Sequence, residues 1–320
     1  SPVLEIDHLV TRFPGPKAGS FVHACDDVSF SVGRGEVIGL VGESGCGKST
    51  LGRTIVGLEK ITSGRVLYNG MNLAHLRGQQ LRLARRRIQY IFQDAYASLN
   101  PRQTISQTLE EALIVAGETN SPIRLKAIES LLSEVGLTSD IALRFPRELS
   151  GGQRQRVSIA RALVMKPEVL ICDEPVSALD ISIRAQVMNL LLKLSREHGV
   201  ACIFIAHDLS LVRQAAQRIM VMYLGRIVEV ARSDDLYKCP KHPYTKALLS
   251  AIPNPDPQIE RRRAPILLTG ELPSPINLPH GCRFHTRCWM ASSKCQAEAP
   301  MLIDIDTNDR ASACFLWRQV

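Results

Sequence analysis

The chain has 320 residues, 45% of them hydrophobic and 22% charged, and its net charge is +8, from 39 Lys and Arg against 31 Asp and Glu. This composition excludes a disordered or fibrous chain, and the length predicts two domains or one large domain with an extension. The longest apolar run, near Val200 to Ala206, has strand length, far below the roughly 20 residues that cross a bilayer. The chain opens without a secretory pattern, so we expect a soluble protein whose membrane role comes through a partner.

The first half of the chain predicts short strands over Val3–Val10 and Val22–Val32, separated by a Pro/Gly-rich loop. Val37–Val41 is an apolar run that suits a buried strand. A Gly-rich loop follows it at once, and then Leu51–Leu58 predicts a helix. Ile88–Phe92 predicts a further strand.

A helical pattern extends from Thr104 to Val135, with a new helix beginning at Pro122, and a third helix is predicted over Val157–Met165. We expect this block to form a separate lobe. The next strands are predicted over Val169–Cys172 and Ala201–Ala206, with a helix between them. Strands that alternate with helices predict an α/β fold in which helices cover both faces of a parallel sheet.

The composition changes after Ala231, where prolines crowd the sequence. Because such density excludes a regular helix or a central strand, we interpret Asn254 to His280 as an extended connector. A small cysteine-bearing unit follows it. Without a secretory signal, disulfides are not expected, and buried free thiols explain Cys172 and Cys202.

Two runs of arginine, Arg85–Arg87 and Arg261–Arg263, account for part of the positive charge. Nucleic acid is one interpretation of such runs. Few aromatic residues are interleaved with them, so stacking on single strands has little support. Solvated charge, or charge near an anionic lipid surface, is the favoured interpretation, and no nucleic-acid partner is expected.

The segment GESGCGKST fits the pattern G-x-x-x-x-G-K-[ST], which is typical of a phosphate-binding loop. Glycines let backbone N–H groups turn toward phosphates, and the following helix presents its positive N-terminus to the same anion. Lys48 would add a charge at the β- and γ-phosphates, and Ser49 would offer a hydroxyl to Mg²⁺. A plain Gly-rich turn is disfavoured because a strand precedes the segment and a helix follows it. The predicted ATP contacts here are Gly42, Glu43, Ser44, Gly45, Cys46, Gly47, Lys48, Ser49 and Thr50.

Two carboxylates, Asp173 and Glu174, end the strand that begins at Val169. Asp173 is predicted to hold Mg²⁺, and Glu174 to orient or deprotonate the attacking water. Two acids at the end of a strand are usually a solvated turn. The phosphate loop in the same chain favours the catalytic interpretation.

The segment Leu149–Gln153 reads LSGGQ and precedes a helix for which Ser150 suits the N-cap. Bare glycines at a helix start form a second anion site, and one nucleotide hardly needs two. A dimer resolves this, because each chain can give its phosphate loop to one ATP and its LSGGQ to the other. The predicted contacts of this segment are Ser150, Gly151, Gly152 and Gln153.

Together these motifs resemble the nucleotide-binding subunits of ABC transporters, over about Val3 to Ala231. The resemblance implies an ABC-type P-loop ATPase with a RecA-like core, a β subdomain and a helical lobe at about 100–165. It identifies Gln93 with the Q-loop glutamine near Mg²⁺ and the membrane partner, and Asp180 with the D-loop. It further identifies His207 with the switch histidine at the γ-phosphate and Phe13 with the residue that stacks on adenine. Core packing is the alternative for Phe13, and a surface histidine is the alternative for His207.

The tail resembles that of oligopeptide, dipeptide and nickel importers, through His242-Pro-Tyr-Thr245, the Pro-rich connector and the cysteines. The expected domains are therefore 1–235, the ATPase, and 236–320, the extension. The resemblance implies ATP hydrolysis that powers import of peptides or a related small solute. The implied partners are a sister ATPase, two separate permeases and a solute-binding protein, with this chain peripheral at the cytoplasmic face. The alternatives are an ABC ATPase that serves nucleic acid or the ribosome, and a binding module with a structural ATP site.

The last four cysteines have the spacing C-x5-C-x6-C-x18-C, which is a poor match to a zinc ribbon. Four thiolates on loops can hold one [4Fe–4S] cube, and members of the resembled importer family carry such a cluster in this extension. Free thiols, or zinc with His285 or His280, are the alternatives. The predicted cluster ligands are Cys282, Cys288, Cys295 and Cys314.

Overall fold

A computed structural model describes residues 2–253, 265–306 and 309–320. The described chain divides into two units. The first comprises the residues up to Leu4, Val32–Glu36 and Leu67–Ile203. The second comprises Glu5–Ser31, Val37–Val66 and the described residues from Phe204 onward.

The strands of the described residues are, in chain order, β1 (Leu4–Pro14), β2 (Phe21–Val32), β3 (Val37–Val41), β4 (Ser63–Tyr68), β5 (Met71–Asn72), β6 (Ile88–Ile91), β7 (Val169–Asp173), β8 (Ala201–Ala206), β9 (Arg218–Tyr223), β10 (Arg226–Arg232), β11 (Ile303–Asp304) and β12 (Ala311–Ser312). The helices are α1 (Lys48–Ile55), α2 (Gly78–Arg87), α3 (Ile105–Ala116), α4 (Ser121–Glu134), α5 (Gly151–Val164), α6 (Ile181–His198), α7 (Leu209–Ala215), α8 (Ser233–Lys238), α9 (Pro243–Ser250) and α10 (Ser293–Ala297).

In the first unit, β6 and β7 pair in parallel, with Tyr90 opposite Ile171. All five residues of β7 are buried, as a strand covered on both faces requires. The helices α3, α4 and α5 belong to this unit as well. Capping boxes begin two of them, at Thr104 with Gln107 for α3 and at Ser150 with Gln153 for α5.

In the second unit, β1 lies between β2 and β4, and β3 pairs in parallel with β9. β9 pairs with β10 in antiparallel fashion, with a bulge between Ile227 and Glu229. The C-terminal segment extends this sheet, because β12 pairs with β10 and β11 pairs with β12. The cysteine-bearing extension is thereby joined to the sheet that contains β3.

Most predicted elements are confirmed within a few residues. The strands over 37–41 and 201–206 have the predicted bounds, and the 104–135 pattern forms two helices, with Pro122 in the first turn of the second. The helix predicted over Leu51–Leu58 instead ends at Ile55, because Gly57 adopts a left-handed conformation (φ 75°). The helix predicted from Val157 begins earlier, at Gly151.

Six strands of the described sheets have no counterpart in the sequence prediction: β4, β5, β9, β10, β11 and β12. Residues 265–280 of the predicted connector contain neither helix nor strand, in agreement with the prediction. Asn254–Ala264, including Arg261–Arg263, lie outside the described residues. Within the described part of the chain, no helix combines the length and apolar character that a membrane span requires.

His242 is the buried N-cap residue of α9, and its ring is neutral in the folded protein. Its Nδ1 accepts the N–H of Tyr244 at 3.1 Å and so caps α9, as the predicted helix start at Pro243 requires. Burial lowers the pKa of His242 from 6.5 to about 3, and a hydrogen bond to the Ala313 backbone opposes this only in part. The folded state therefore excludes a proton that the unfolded chain binds below pH 6.5.

We predict that the burial of neutral His242 contributes a loss of stability on acidification. Because the pKa of His242 is lowered in the folded state, the contribution of neutral His242 to stability is complete above pH 6.5 and declines toward pH 3. The loss between pH 7.5 and 5.5 should be about 1.3 kcal/mol. His242→Asn keeps a capping oxygen but does not titrate. Between the two pH values, the unfolding free energy of this variant, measured in urea, should therefore fall by about 1.3 kcal/mol less than that of wild type. Glu229 titrates in both proteins, so its contribution cancels when the two changes in unfolding free energy are compared. Equal losses would contradict the prediction.

Candidate functional site

The phosphate loop lies in the second unit, between the buried strand β3 and helix α1. Gly47 is the N-cap residue of α1, with φ of 107°, and its carbonyl accepts the N–H of Leu51. Glycine is required at two positions for steric reasons. A Cβ at Gly42 (φ 156°) would lie 2.2 Å from the Met222 carbonyl oxygen, and one at Gly47 would lie 2.0 Å from that of Ala24.

The ammonium of Lys48 is buried and held by the loop itself. Its Nζ donates to the carbonyl oxygens of Gly42 at 2.8 Å and Glu43 at 2.9 Å. The thiol of Cys46 is buried beside it, and burial raises the pKa of that thiol. An internal cation in a loop of turned peptides is the arrangement that binds a phosphate chain.

Glu43 has two contacts that the sequence did not predict. Its N–H donates to the Tyr244 hydroxyl at 2.8 Å. Its carboxylate forms a two-point ion pair with Arg287, at 2.7 and 3.0 Å. Both partners come from the C-terminal extension, so the loop is supported by residues some 200 positions further along the chain.

Two further predicted contacts belong to the second unit. Phe13 is half-buried near the end of β1, and His207 is exposed directly after β8. The residue after His207 caps α7, since the Asp208 carboxylate accepts the N–H of Ser210 at 2.8 Å.

The predicted catalytic carboxylates lie in the first unit, where β7 ends. Asp173 is buried, and its carboxylate accepts the hydroxyl of Tyr90 at 2.6 Å. Glu174 has a positive φ of 43°, a conformation that costs free energy in a residue other than glycine and is concentrated at functional sites. Its carboxylate accepts the side-chain amide of Gln93 at 2.9 Å, so the structure brings this predicted pair together.

Tyr90 is a candidate site residue that the sequence reasoning missed. The parallel pairing of β6 with β7 carries its hydroxyl to Asp173. The only signal in the sequence was a buried aromatic residue with a polar tip, three positions before Gln93. The Asp173 carboxylate, at the end of β7, is an oxygen donor of the kind that Mg²⁺ takes.

The LSGGQ segment is also in the first unit. The Ser150 hydroxyl accepts the N–H of Gln153 at 3.2 Å, as predicted for the N-cap of α5. Gly152 is buried, and a Cβ there would lie 2.6 Å from Cγ2 of Ile183. The absence of a side chain at Gly152 therefore serves close packing against α6, whose N-cap residue is the exposed Asp180.

The four C-terminal cysteines influence one another. The N–H of Cys282 donates to the Cys295 carbonyl at 2.8 Å. Burial first, and then the neighbouring thiols of Cys282, Cys288 and Cys295, raise the pKa of Cys314 to about 12. Burial also raises the pKa of Cys282, to about 11.

The described residues nevertheless give no support to the predicted cluster site. Over residues 2–253, 265–306 and 309–320, no three His, Cys, Asp or Glu side chains are grouped as metal ligands, and all nine cysteines are free thiols. Nδ1 of His285 and of His280 lies within hydrogen-bond distance of the backbone carbonyls of Cys282 and Gln296. The iron–sulfur prediction is therefore not supported by this donor set.

Comparison with known proteins agrees with these features. Residues 25–177 match the family described as ABC transporter, and residues 228–295 match the oligopeptide/dipeptide transporter C-terminal region. The chain is 50% identical over 318 residues to the putative oligopeptide transport ATP-binding protein YkfD of Bacillus subtilis, covering 99% of this chain and 96% of the relative. It is 48% identical over 320 residues to the dipeptide transport ATP-binding protein DppF of Haemophilus influenzae, covering 98% and 97%.

Two solved structures are similar to the fold. A dimeric structure of the ATP-binding cassette MJ0796 bound to ADP and Pi has a TM-score of 0.65 and 30% identity, covering 72% of this chain and 98% of that one. The structure of cbiO1 from Clostridium perfringens, part of an ABC transporter complex, has a TM-score of 0.65 and 28% identity, covering 74% and 91%.

The fold and the phosphate loop define an ABC-type ATPase. The chain belongs to the ABC transporter ATP-binding proteins that carry the oligopeptide/dipeptide C-terminal region.

We predict that Lys48→Ala weakens the binding of ATP at least tenfold, because a buried ammonium is lost from the anion site. Lys60→Ala removes an exposed lysine that follows α1 and serves as the charge-matched control. Equilibrium titration with a fluorescent ATP analogue measures both. Equal affinity in the Lys48 variant and the control would contradict the phosphate-loop assignment.

Proposed function

We propose that this chain is the ATP-hydrolysing subunit of an importer of peptides. The observation that carries the proposal is the union, in one chain, of a phosphate loop with the C-terminal region of oligopeptide/dipeptide transporters. The extension contacts the loop directly through Tyr244 and Arg287, so the two features form one structural unit. The names of the relatives support peptides as the cargo class.

The roles we propose follow from charge and position. Lys48 and the loop N–H groups bind the phosphates of ATP, and Phe13 stacks on its adenine. Ser49, Gln93 and Asp173 hold Mg²⁺, which neutralises charge on the transferred phosphoryl group. Tyr90 keeps the Asp173 carboxylate in one orientation through its 2.6 Å hydrogen bond.

Hydrolysis depends on Glu174 as the base for water, oriented by the side-chain amide of Gln93. His207 contacts the γ-phosphate. Ser150, Gly151, Gly152 and Gln153 would face the ATP of a second ATPase subunit, with Asp180 at the contact between the two. ATP binding closes this dimer, and hydrolysis reopens it through the repulsion of like charges.

The partners we propose are a sister ATPase of the same family, two membrane permeases and, through them, a solute-binding protein. Closure of the ATPase dimer would move the permeases between their two orientations. The chain would then be peripheral at the cytoplasmic face of the membrane. The domains of this proposal are an ATPase over 1–235, with its helical lobe at about 100–165, and an extension over 236–320.

The structure lowers the support for the nucleic-acid alternative. Two members of the first arginine run donate to backbone carbonyls. The guanidinium of Arg86 donates to the Ala116 carbonyl at 3.2 Å, and that of Arg87 to the Lys166 carbonyl at 2.6 Å. Their charges serve the ends of helices α3 and α5. Co-purification with permeases, set against recovery on nucleic acid at moderate salt, separates the two functions.

We predict that Glu174→Gln lowers phosphate release at least a hundredfold while ATP affinity is retained, because an amide cannot accept the proton of water. With ATP present, the variant should elute as a dimer in gel filtration. Glu197→Gln changes an exposed glutamate on α6 and is the matched control. Normal turnover in the Glu174 variant would remove this residue from the role of base.

The [4Fe–4S] cluster at Cys282, Cys288, Cys295 and Cys314 stays a prediction from the sequence. Its role would be structural, and no step of ATP hydrolysis passes through it. Protein purified without oxygen should be brown and contain about four iron and four sulfide per chain. Colourless protein with four alkylatable thiols, or with stoichiometric zinc, would refute the prediction.

A further inference from the structure

The phosphate loop contains a negative charge at its second position. Glu43 lies between Gly42 and the peptide groups that bind phosphate, and its side chain is 29% exposed. A carboxylate in a phosphate-binding loop repels a nucleotide polyphosphate, since the charges have the same sign and the surroundings are partly shielded from water. The fold therefore needs a device that offsets the charge of Glu43.

Arg287 is placed to do so. Its guanidinium forms two hydrogen bonds, one to each carboxylate oxygen of Glu43, and its side chain is only 6% exposed. This two-point geometry fixes the direction of the carboxylate as well as its charge. The hydrogen bond with Glu43 is the main reason that the pKa of Arg287 is raised.

The position of Arg287 is itself rigidly determined. It ends a single 3-10 turn, His285–Arg287, and its N–H donates to the Phe284 carbonyl at 3.0 Å. The Phe284 ring is buried against Tyr223 and Tyr244, with ring centroids 5.2 and 5.4 Å away. Tyr244 in turn accepts the N–H of Glu43. Tyr244 of this aromatic cluster thus contacts the backbone of Glu43, and Arg287, which follows Phe284 in the chain, contacts its side chain.

We propose that Arg287 is a positioning residue of the nucleotide site, which neutralises Glu43 and holds it away from the phosphates. The cysteine-bearing extension is thereby a working part of the ATP site. This inference rests on the ATPase function and adds to it a residue outside every ATP-binding motif. Arg287 contacts the loop and not the reacting atoms, so its effect should fall on nucleotide affinity and KM.

Arg287→Ala tests the inference in the full chain. The dissociation constant and KM for MgATP should rise roughly tenfold, and kcat should stay within about twofold, because an unpaired carboxylate then remains in the loop. Arg310→Ala is the matched control. Arg310 is a mostly buried arginine of the same extension that pairs with Asp306 at 3.5 Å and does not contact Glu43. It should lower thermal stability without changing affinity.

The double variant Arg287→Ala with Glu43→Gln separates charge from packing. If Arg287 acts by neutralising Glu43, removal of the carboxylate should restore most of the lost affinity. If Arg287 has a merely structural role, the double variant should recover no affinity, and the losses of MgATP affinity caused by the two substitutions should add. Unchanged affinity in folded Arg287→Ala, or no recovery in the double variant, would overturn the inference. Wild-type protein that bound no MgATP would instead overturn the ATPase function itself.

Discussion

The phosphate loop can bind an anion only while its peptide groups keep a conformation that ordinary residues avoid, and the rest of the second unit is arranged around this constraint. Gly42 and Gly47 both have positive φ, and each approaches a backbone carbonyl so closely that a methyl group would not fit. Those carbonyls belong to Met222 in β9 and Ala24 in β2. Two neighbouring strands therefore enforce the loop conformation by steric contact, before any hydrogen bond is counted.

The extension stabilises the same loop through polar groups. Glu229, buried in β10, accepts the N–H groups of Lys241 and His242 at 2.6 and 2.9 Å. These bonds hold the chain where α9 begins, and α9 delivers the Tyr244 hydroxyl to Glu43. Burial raises the pKa of Glu229 to about 7, because ionising a buried carboxyl group costs free energy. The role of Glu229 is to accept these two hydrogen bonds.

The first unit uses a related arrangement for its own charges. Asp173 and Glu174 are adjacent in the chain, yet each has its own partner, the hydroxyl of Tyr90 and the amide of Gln93. The positive φ of Glu174 turns the chain where β7 ends, and the Ser177 hydroxyl donates to the Glu174 carbonyl at 3.1 Å. Separate hydrogen-bond donors let the two neighbouring carboxylates have different orientations, as the proposed metal ligand and the proposed base would require.

Short patterns of neighbouring residues were enough to predict the local features. The phosphate loop, the N-cap at Ser150, the buried strands β3 and β8 and the helix start at Pro243 all depend on residue types that are close in the chain, so short patterns predicted them. The strands β9 and β10 were missed although Ile219 to Tyr223 is a short apolar run of the same kind as β3.

Contacts between residues that are distant in the chain depend on the folded arrangement of the strands and loops. Arg287 reaches Glu43 across 244 positions, and Tyr90 reaches Asp173 across 83. No spacing rule connects such pairs, because strand order and the packing of Phe284 against Tyr223 and Tyr244 bring them together. The same holds for the four C-terminal cysteines, because whether they come close enough to hold a metal depends on the loops that carry them, and the described residues show no such grouping. Local motifs depend on residues that are close in the chain, so the sequence predicts them. Ion pairs between distant residues depend on which segments the fold brings together, so short patterns do not predict them.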